Sequence, residues 1–148
     1  MKATFGAGCF WHVQESFDKL EGVKSTEVGY MGGHKKEPSY KEVCRGETGH
    51  TEVCQVEYDP KKVSYNELLD IFWNIHDPFY KAKTQYRSVI FYHSPKQKEL
   101  AEKALKGLEK KHKRKPATDI EKAATFWKAE DYHQKYYKKG FLRKVCRM

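Results

Sequence analysis

The amino-acid sequence predicts an α+β two-layer sandwich, and three observations lead there. The 148 residues fit one compact domain. Apolar residues make up 39% and aromatics 14%, enough for a core despite 33% charged residues. Strand and helix patterns interleave unevenly, without the regular rhythm of a doubly wound sheet. A domain of this size buries roughly two-thirds of its unfolded surface and needs neither metal nor disulfide to fold.

The elements follow from local pattern. Lys2 to Ala7 reads as a short strand, ended by Gly6 and Gly8. Phe10, Val13, Phe17 and Leu20 form one apolar stripe, which predicts a helix from Phe10 to Leu20. Val23 to Tyr30 is a second strand, running into Gly32-Gly33 and a polar loop from His34 to Ser39. Glu52 to Tyr58 alternates, with Glu52, Cys54, Val56 and Tyr58 on one face, until Asp59-Pro60 stops it. Ser64 and Glu67 have capping-box spacing before an apolar helix through Leu68, Leu69, Phe72 and Trp73. Arg87 to Tyr92 reads as a buried strand. Ser94-Pro95 starts another helix, with Gln97 at the box position and Leu100, Ala104 and Leu108 inward. A short extended piece spans Thr118 to Glu121, and a final helix is expected from Glu130 to Lys139, ended by Gly140. The whole chain, 1–148, is expected to be one domain, with a mobile tail over about 138–148.

Charge excludes less than it first suggests. Lys plus Arg is 29 against 20 acids, a net +9, concentrated in Lys96 to Lys115 and Lys135 to Arg147. The first stretch fits the solvated face of a helix, and no zinc-finger spacing, RNP-like aromatic motif or zipper accompanies it. No apolar run approaches the ~20 residues of a membrane span. Met1 to Gly8 carries one lysine and no apolar h-region, so the expected compartment is the reducing cytoplasm. Cysteines 9, 44, 54 and 146 form no Cys-x-x-Cys pair and no zinc spacing. Standing structural disulfides are therefore not expected.

Several residues carry possible chemistry, each with a plainer alternative. Cys9 sits between a strand end and a helix start, where exposed amides and the helix dipole favour a thiolate. A thiolate suits nucleophilic attack, with Phe10 and Trp11 as an apolar wall; a buried, inert cysteine beside core aromatics fits equally. Glu52, if it faces the apolar layer, has a raised pKa and suits a general acid; an edge glutamate pointing to water is the alternative. Tyr40 and Tyr86 stand at loop edges, where a hydroxyl can meet a polar substrate atom or simply pack. His76-Asp77-Pro78 fits a helix-ending turn better than two-thirds of a triad. Glu130 to Gln134 suits structural hydrogen bonding. Cys146, two residues from the end, is either an incidental thiol or one able to swing toward another sulfur.

Together these pieces resemble the peptide-methionine (S)-S-oxide reductases, the A-type methionine sulfoxide reductase family. The matching segments are Gly6-Ala7-Gly8-Cys9-Phe10-Trp11, Gly29-Tyr30-Met31-Gly32-Gly33, Pro38 to Cys44 and Gly46 to Glu52. Tyr58-Asp59-Pro60, Phe72-Trp73, His76-Asp77-Pro78, Gln85-Tyr86-Arg87-Ser88 and Ala129 to Gln134 follow in family order. The resemblance implies a mixed sheet with a ferredoxin-like core and flanking helices. It implies that Cys9 attacks the sulfur of methionine-S-sulfoxide while Glu52 protonates the oxygen and Tyr40 and Tyr86 hydrogen-bond it. Phe10 and Trp11 would hold the S-methyl group. Cys9 sulfenic acid would then condense with a second thiol, Cys146 before Cys44 or Cys54, and thioredoxin would reduce the disulfide. No metal or organic cofactor is implied, and a monomer without nucleic-acid or membrane partners is expected. Three departures stand out. His12 and Gln14 replace a glycine and a glutamate common in the family; the loop Phe79 to Thr84 lacks its usual acid; and the tail is short, without a glycine-rich run. The rival readings are a non-catalytic binder of methionine-sulfoxide peptides and a basic nucleic-acid-binding module.

Overall fold

The computed structural model describes residues 1–136. Six strands form one sheet: β1 (Lys2–Ala7), β2 (Val23–Met31), β3 (Thr51–Tyr58), β4 (Ser88–Tyr92), β5 (Asp119–Lys122) and β6 (Trp127–Lys128). Their order is β5-β4-β1-β3-β2-β6. β5 runs parallel to β4 while every other pair is antiparallel, so the sheet is mixed, as expected. Four helices accompany it: α1 (Phe10–Asp18), α2 (Tyr40–Cys44), α3 (Tyr65–Asn74) and α4 (Pro95–His112).

The alternation along the strands sorts side chains between two layers. Ala3, Phe5 and Ala7 of β1 meet Phe10, Val13 and Phe17 of α1 and Leu68 and Phe72 of α3 in the main core. Phe5 stacks on Phe17 at 5.1 Å and tilts against Phe72 at 5.3 Å. On the other face Met31, Val53, Val89 and Phe91 are covered by Ala123 and Phe126. Among the described residues no helix is long and apolar enough to cross a membrane.

Capping decides where the helices begin. Ser64 and Glu67 form the expected reciprocal box. Ser39 and Glu42 form another, and it opens α2, a helix of only five residues that the sequence pattern did not predict. At α4 the Ser94 hydroxyl accepts from Gln97 N, but the Gln97 side chain turns elsewhere. It accepts from His93 N at 2.9 Å and donates to Lys2 O at 2.8 Å, tying the helix to β1.

The expected helix from Glu130 is a correction. Among the described residues of that stretch the chain makes a 3-10 turn at Asp131–His133 and no α-helical turn. The Gln134 side chain accepts from Val28 N at 2.9 Å and donates to Val28 O at 2.8 Å, at the β2 edge. Lys135 takes a left-handed φ of 54° while its N–H bonds Gln14 Oε1 at 2.7 Å. These contacts to the sheet and α1 replace the helical bonds that periodicity suggested. The unpredicted strand β6 approaches so closely that a Cβ on Gly29 would collide with Trp127 O. Gly140, the expected tail and Cys146 lie outside the described residues.

Candidate active site

The site begins where β1 ends. Gly8 has φ +89°, which turns the chain sharply, and Cys9 becomes the N-cap of α1 with φ −60° and ψ 121°. Its carbonyl accepts from Val13 N at 3.3 Å, while its side chain makes no cap bond. The sulfur therefore sits at the positive end of α1, which favours its thiolate once reduced. Cys9 is disulfide-bonded in this structure, whereas Cys44 and Cys54 are free thiols. Cys54 is buried in the core, and burial pushes its thiol well above the ordinary range.

Cys9 lines a cavity of about 860 Å³ together with Trp11, Tyr40, His76, Tyr80 and Tyr86. That volume suits a small ligand, and Glu52 and Phe10 lie behind its lining rather than in it. The Trp11 ring is held by two contacts: its Nε1–H donates to His133 Nδ1 at 3.0 Å, and it stacks on Tyr136 at 3.7 Å. Phe10 lies beneath, 1% exposed, against Tyr30, Tyr40 and His133.

Glu52 is the second residue of β3 and is 1% exposed, so it does not point to water. One carboxyl oxygen accepts from Phe10 N at 3.3 Å; the other accepts from Gln85 Nε2 at 2.6 Å. Burial pushes the carboxyl up to about 7, outweighing the Gln85 and Phe10 hydrogen bonds and the Lys83 charge, which pull it down. Such a group holds a proton near neutral pH and can release it. Gln85 Nε2 also reaches Cys44 Sγ at 3.3 Å, while its buried Oε1 has no partner among the described residues.

Tyr40 starts α2, and its N–H donates to Glu130 Oε2 at 3.1 Å. The other Glu130 oxygen accepts from Tyr30 OH at 3.0 Å. Burial, then the Glu52 charge, pushes the Tyr40 hydroxyl far above its ordinary pKa. The same two causes push Tyr86 up to about 12, against a hydrogen bond from Tyr40. Both hydroxyls stay protonated at neutral pH and can donate to an oxygen gaining negative charge.

The departures from the family pattern have structural answers. His12 Nε2 lies 3.1 Å from Ile75 O at the end of α3. Gln14 is buried and donates to Thr26 O at 3.2 Å, joining α1 to β2. Asp77, just before the loop that lacks the usual acid, lines the cavity, and its Oδ1 accepts from Phe79 N at 2.9 Å. The His76 ring instead engages Phe72 O and Ser88 Oγ, each at 2.7 Å, so His76-Asp77-Pro78 is a turn and not a triad. Among the described residues no three His, Cys, Asp or Glu side chains gather to hold a metal.

Sequence reasoning missed Gln85 as a positioning residue, and it gave Glu130 and His133 a structural hydrogen-bonding role without naming their partners. They support Glu52, Tyr40 and Trp11 from 33, 90 and 122 residues away. Only its place in a matched segment hinted at Gln85.

A disulfide-forming cysteine at a helix head, beside a carboxyl that titrates near neutrality, defines a thiol-dependent oxidoreductase. Comparison with known proteins narrows the class. The family profile described as peptide methionine sulfoxide reductase matches residues 1–148. Peptide methionine sulfoxide reductase MsrA of Methanothermobacter thermautotrophicus is 50% identical, covering 99% of this chain and 92% of the relative. The reduced form of Mxr1 from Saccharomyces cerevisiae superposes with a TM-score of 0.87 at 37% identity, over 95% of this chain and 85% of that one. Mxr1 in complex with Trx2 gives 0.66 at 29% identity, over 92% and 84%. The chain belongs to the peptide methionine sulfoxide reductase family.

Proposed function

We propose that this protein reduces methionine-S-sulfoxide, free or in proteins, and so repairs oxidised proteins in the cytoplasm. The observation that carries the reading is the Glu52 carboxyl, which is buried and held by the backbone N–H of the residue after Cys9. Cys9 thiolate attacks the sulfoxide sulfur as Glu52 gives its proton to the oxygen, and Tyr40 and Tyr86 donate hydrogen bonds to that oxygen. Trp11, backed by Phe10, holds the S-methyl group. Methionine leaves, and Cys9 remains as a sulfenic acid. A second thiolate then attacks the sulfenic sulfur, water departs, and a disulfide forms. The family resemblance puts Cys146 first as that thiol, and the burial of Cys54 in the core counts against Cys54. Thioredoxin as the reductant is supported by the yeast relative in complex with Trx2.

An end-point titration without reductant tests the reading. Pre-reduced protein is expected to release one methionine per chain from the S epimer only, with two thiols lost. Cys146→Ser should release one methionine with one thiol lost, then stall with thioredoxin. Normal cycling of that variant would move the resolving role to Cys44 or Cys54, and no methionine from either epimer would end the reductase reading.

Gln85 makes a separate prediction. Its N–H stabilises the ionised form of Glu52, so Gln85→Leu should raise the Glu52 pKa by about one unit, the worth of a charge-assisted hydrogen bond. The alkaline decline of the single-turnover rate should therefore move to higher pH. An unmoved decline would mean that Gln85 does not act on the carboxyl.

A further inference from the structure

Beside the catalytic cavity lies a second basin of about 700 Å³. The two share one wall, the segment 80–84. Tyr80 and Lys83 line the catalytic side, Lys81 and Thr84 line the basin, and Ala82 lines both. Ala82, the one residue common to both linings, carries the smallest side chain of the segment.

This wall is anchored to the chain that follows α4. Pro78 O accepts from Ala117 N at 2.8 Å and from the Thr118 hydroxyl at 3.1 Å. Phe79 packs edge-on to His112 at 5.2 Å and under the Arg114 guanidinium at 4.5 Å. Of residues 110–115, which carry five cations and no acid, Lys115 lines the basin. The basin has acids of its own, Asp119 and Glu121, but both are engaged by Arg87 Nη1, at 3.0 and 2.6 Å. Lys81 and Lys115 line the same basin, are exposed, and have no ion-pair partner among the described residues.

We infer that the basin receives the chain flanking an oxidised methionine, and that acidic segments are the preferred substrate class. The sulfoxide side chain enters the catalytic cavity, the backbone crosses Ala82, and flanking Asp or Glu side chains meet Lys81 and Lys115. This rests on the sulfoxide-reductase reading above. Exposed charge pairs of this kind contribute a few-fold each and weaken as salt screens them. They act mainly on capture of the substrate.

The test compares three S-sulfoxide substrates: the free amino acid, a pentapeptide with aspartates on both sides of the sulfoxide, and its lysine-flanked counterpart. Wild type at about 20 mM salt should favour the acidic peptide in kcat/KM by about tenfold, and at about 300 mM the ratio should approach one. In Lys81→Glu/Lys115→Glu the low-salt ratio should fall to one or invert. Reduction of the free amino-acid sulfoxide by the variant at the wild-type rate shows that it is folded and that the ratio reads the basin alone. Equal use of the two peptides by wild type at low salt, with the free sulfoxide reduced, would overturn the inference and leave the reductase standing. A preference that survives the double substitution would also overturn it, because the basin would not be its source. Failure to reduce even the free amino acid would remove the reductase reading and this inference together.

Discussion

Cys9→Ser is expected to abolish methionine release while leaving the fold intact. A serine hydroxyl is scarcely ionised near neutral pH, so the nucleophile disappears, and a loss on the order of 10⁴-fold or more is expected. The position also makes the control unusually clean. Cys9 is the N-cap of α1 and its side chain makes no cap bond, whereas serine is a preferred N-cap residue. The variant should therefore melt no lower than reduced wild type, and by capping alone it gains about 0.5–1 kcal/mol. Methionine release measured beside the melting curve separates chemistry from folding. Continued release from a folded serine variant would place the nucleophile elsewhere.

Glu52→Gln has the second-largest effect, and its sign depends on pH. The Glu52 carboxyl sits up at about 7, so wild type holds the transferable proton below that pH and loses it above. The variant has no proton to give at any pH. Its single-turnover rate should fall by about 10²–10⁴-fold at pH near 6, with the gap narrowing above pH 8 as wild type loses its own donor. Stability moves the other way. The folded pKa exceeds the ordinary carboxyl value of 4.5, so folding is favoured while the group is protonated. Wild type loses stability, on the order of 3 kcal/mol, as the pH rises through the window from about 4.5 to about 7. The glutamine variant should lack that decline in urea unfolding. Its amide can be met by Gln85, whose buried Oε1 has no partner among the described residues and can turn to accept. Matching rates across pH would remove Glu52 as the proton donor.

Legibility in the sequence followed the range of the interaction concerned. Strands β1 and β3 and helix α3 were readable because alternation, an apolar stripe and a capping box are local signals. The box at Ser39 and Glu42 was equally local, and it went unread because α2 is only five residues long. The final helix was over-read. Its residues have helical propensity, but Gln134 and Lys135 bond to β2 and α1, more than a hundred residues away in sequence.

The sequence by itself determined the α+β layering, the place of Cys9 at a strand-to-helix turn, and the family, because these rest on short-range pattern and on ordered motifs. Only the tertiary structure decided which way Glu52 faces, and hence its pKa, because burial is a property of the packed layers and not of a strand in isolation. It also decided what holds the working side chains in place: Gln85 on Glu52, Glu130 on Tyr40 and His133 on Trp11. Those contacts exist only after the chain has closed loops of 33 to 122 residues, and no local pattern encodes which partners meet across such distances.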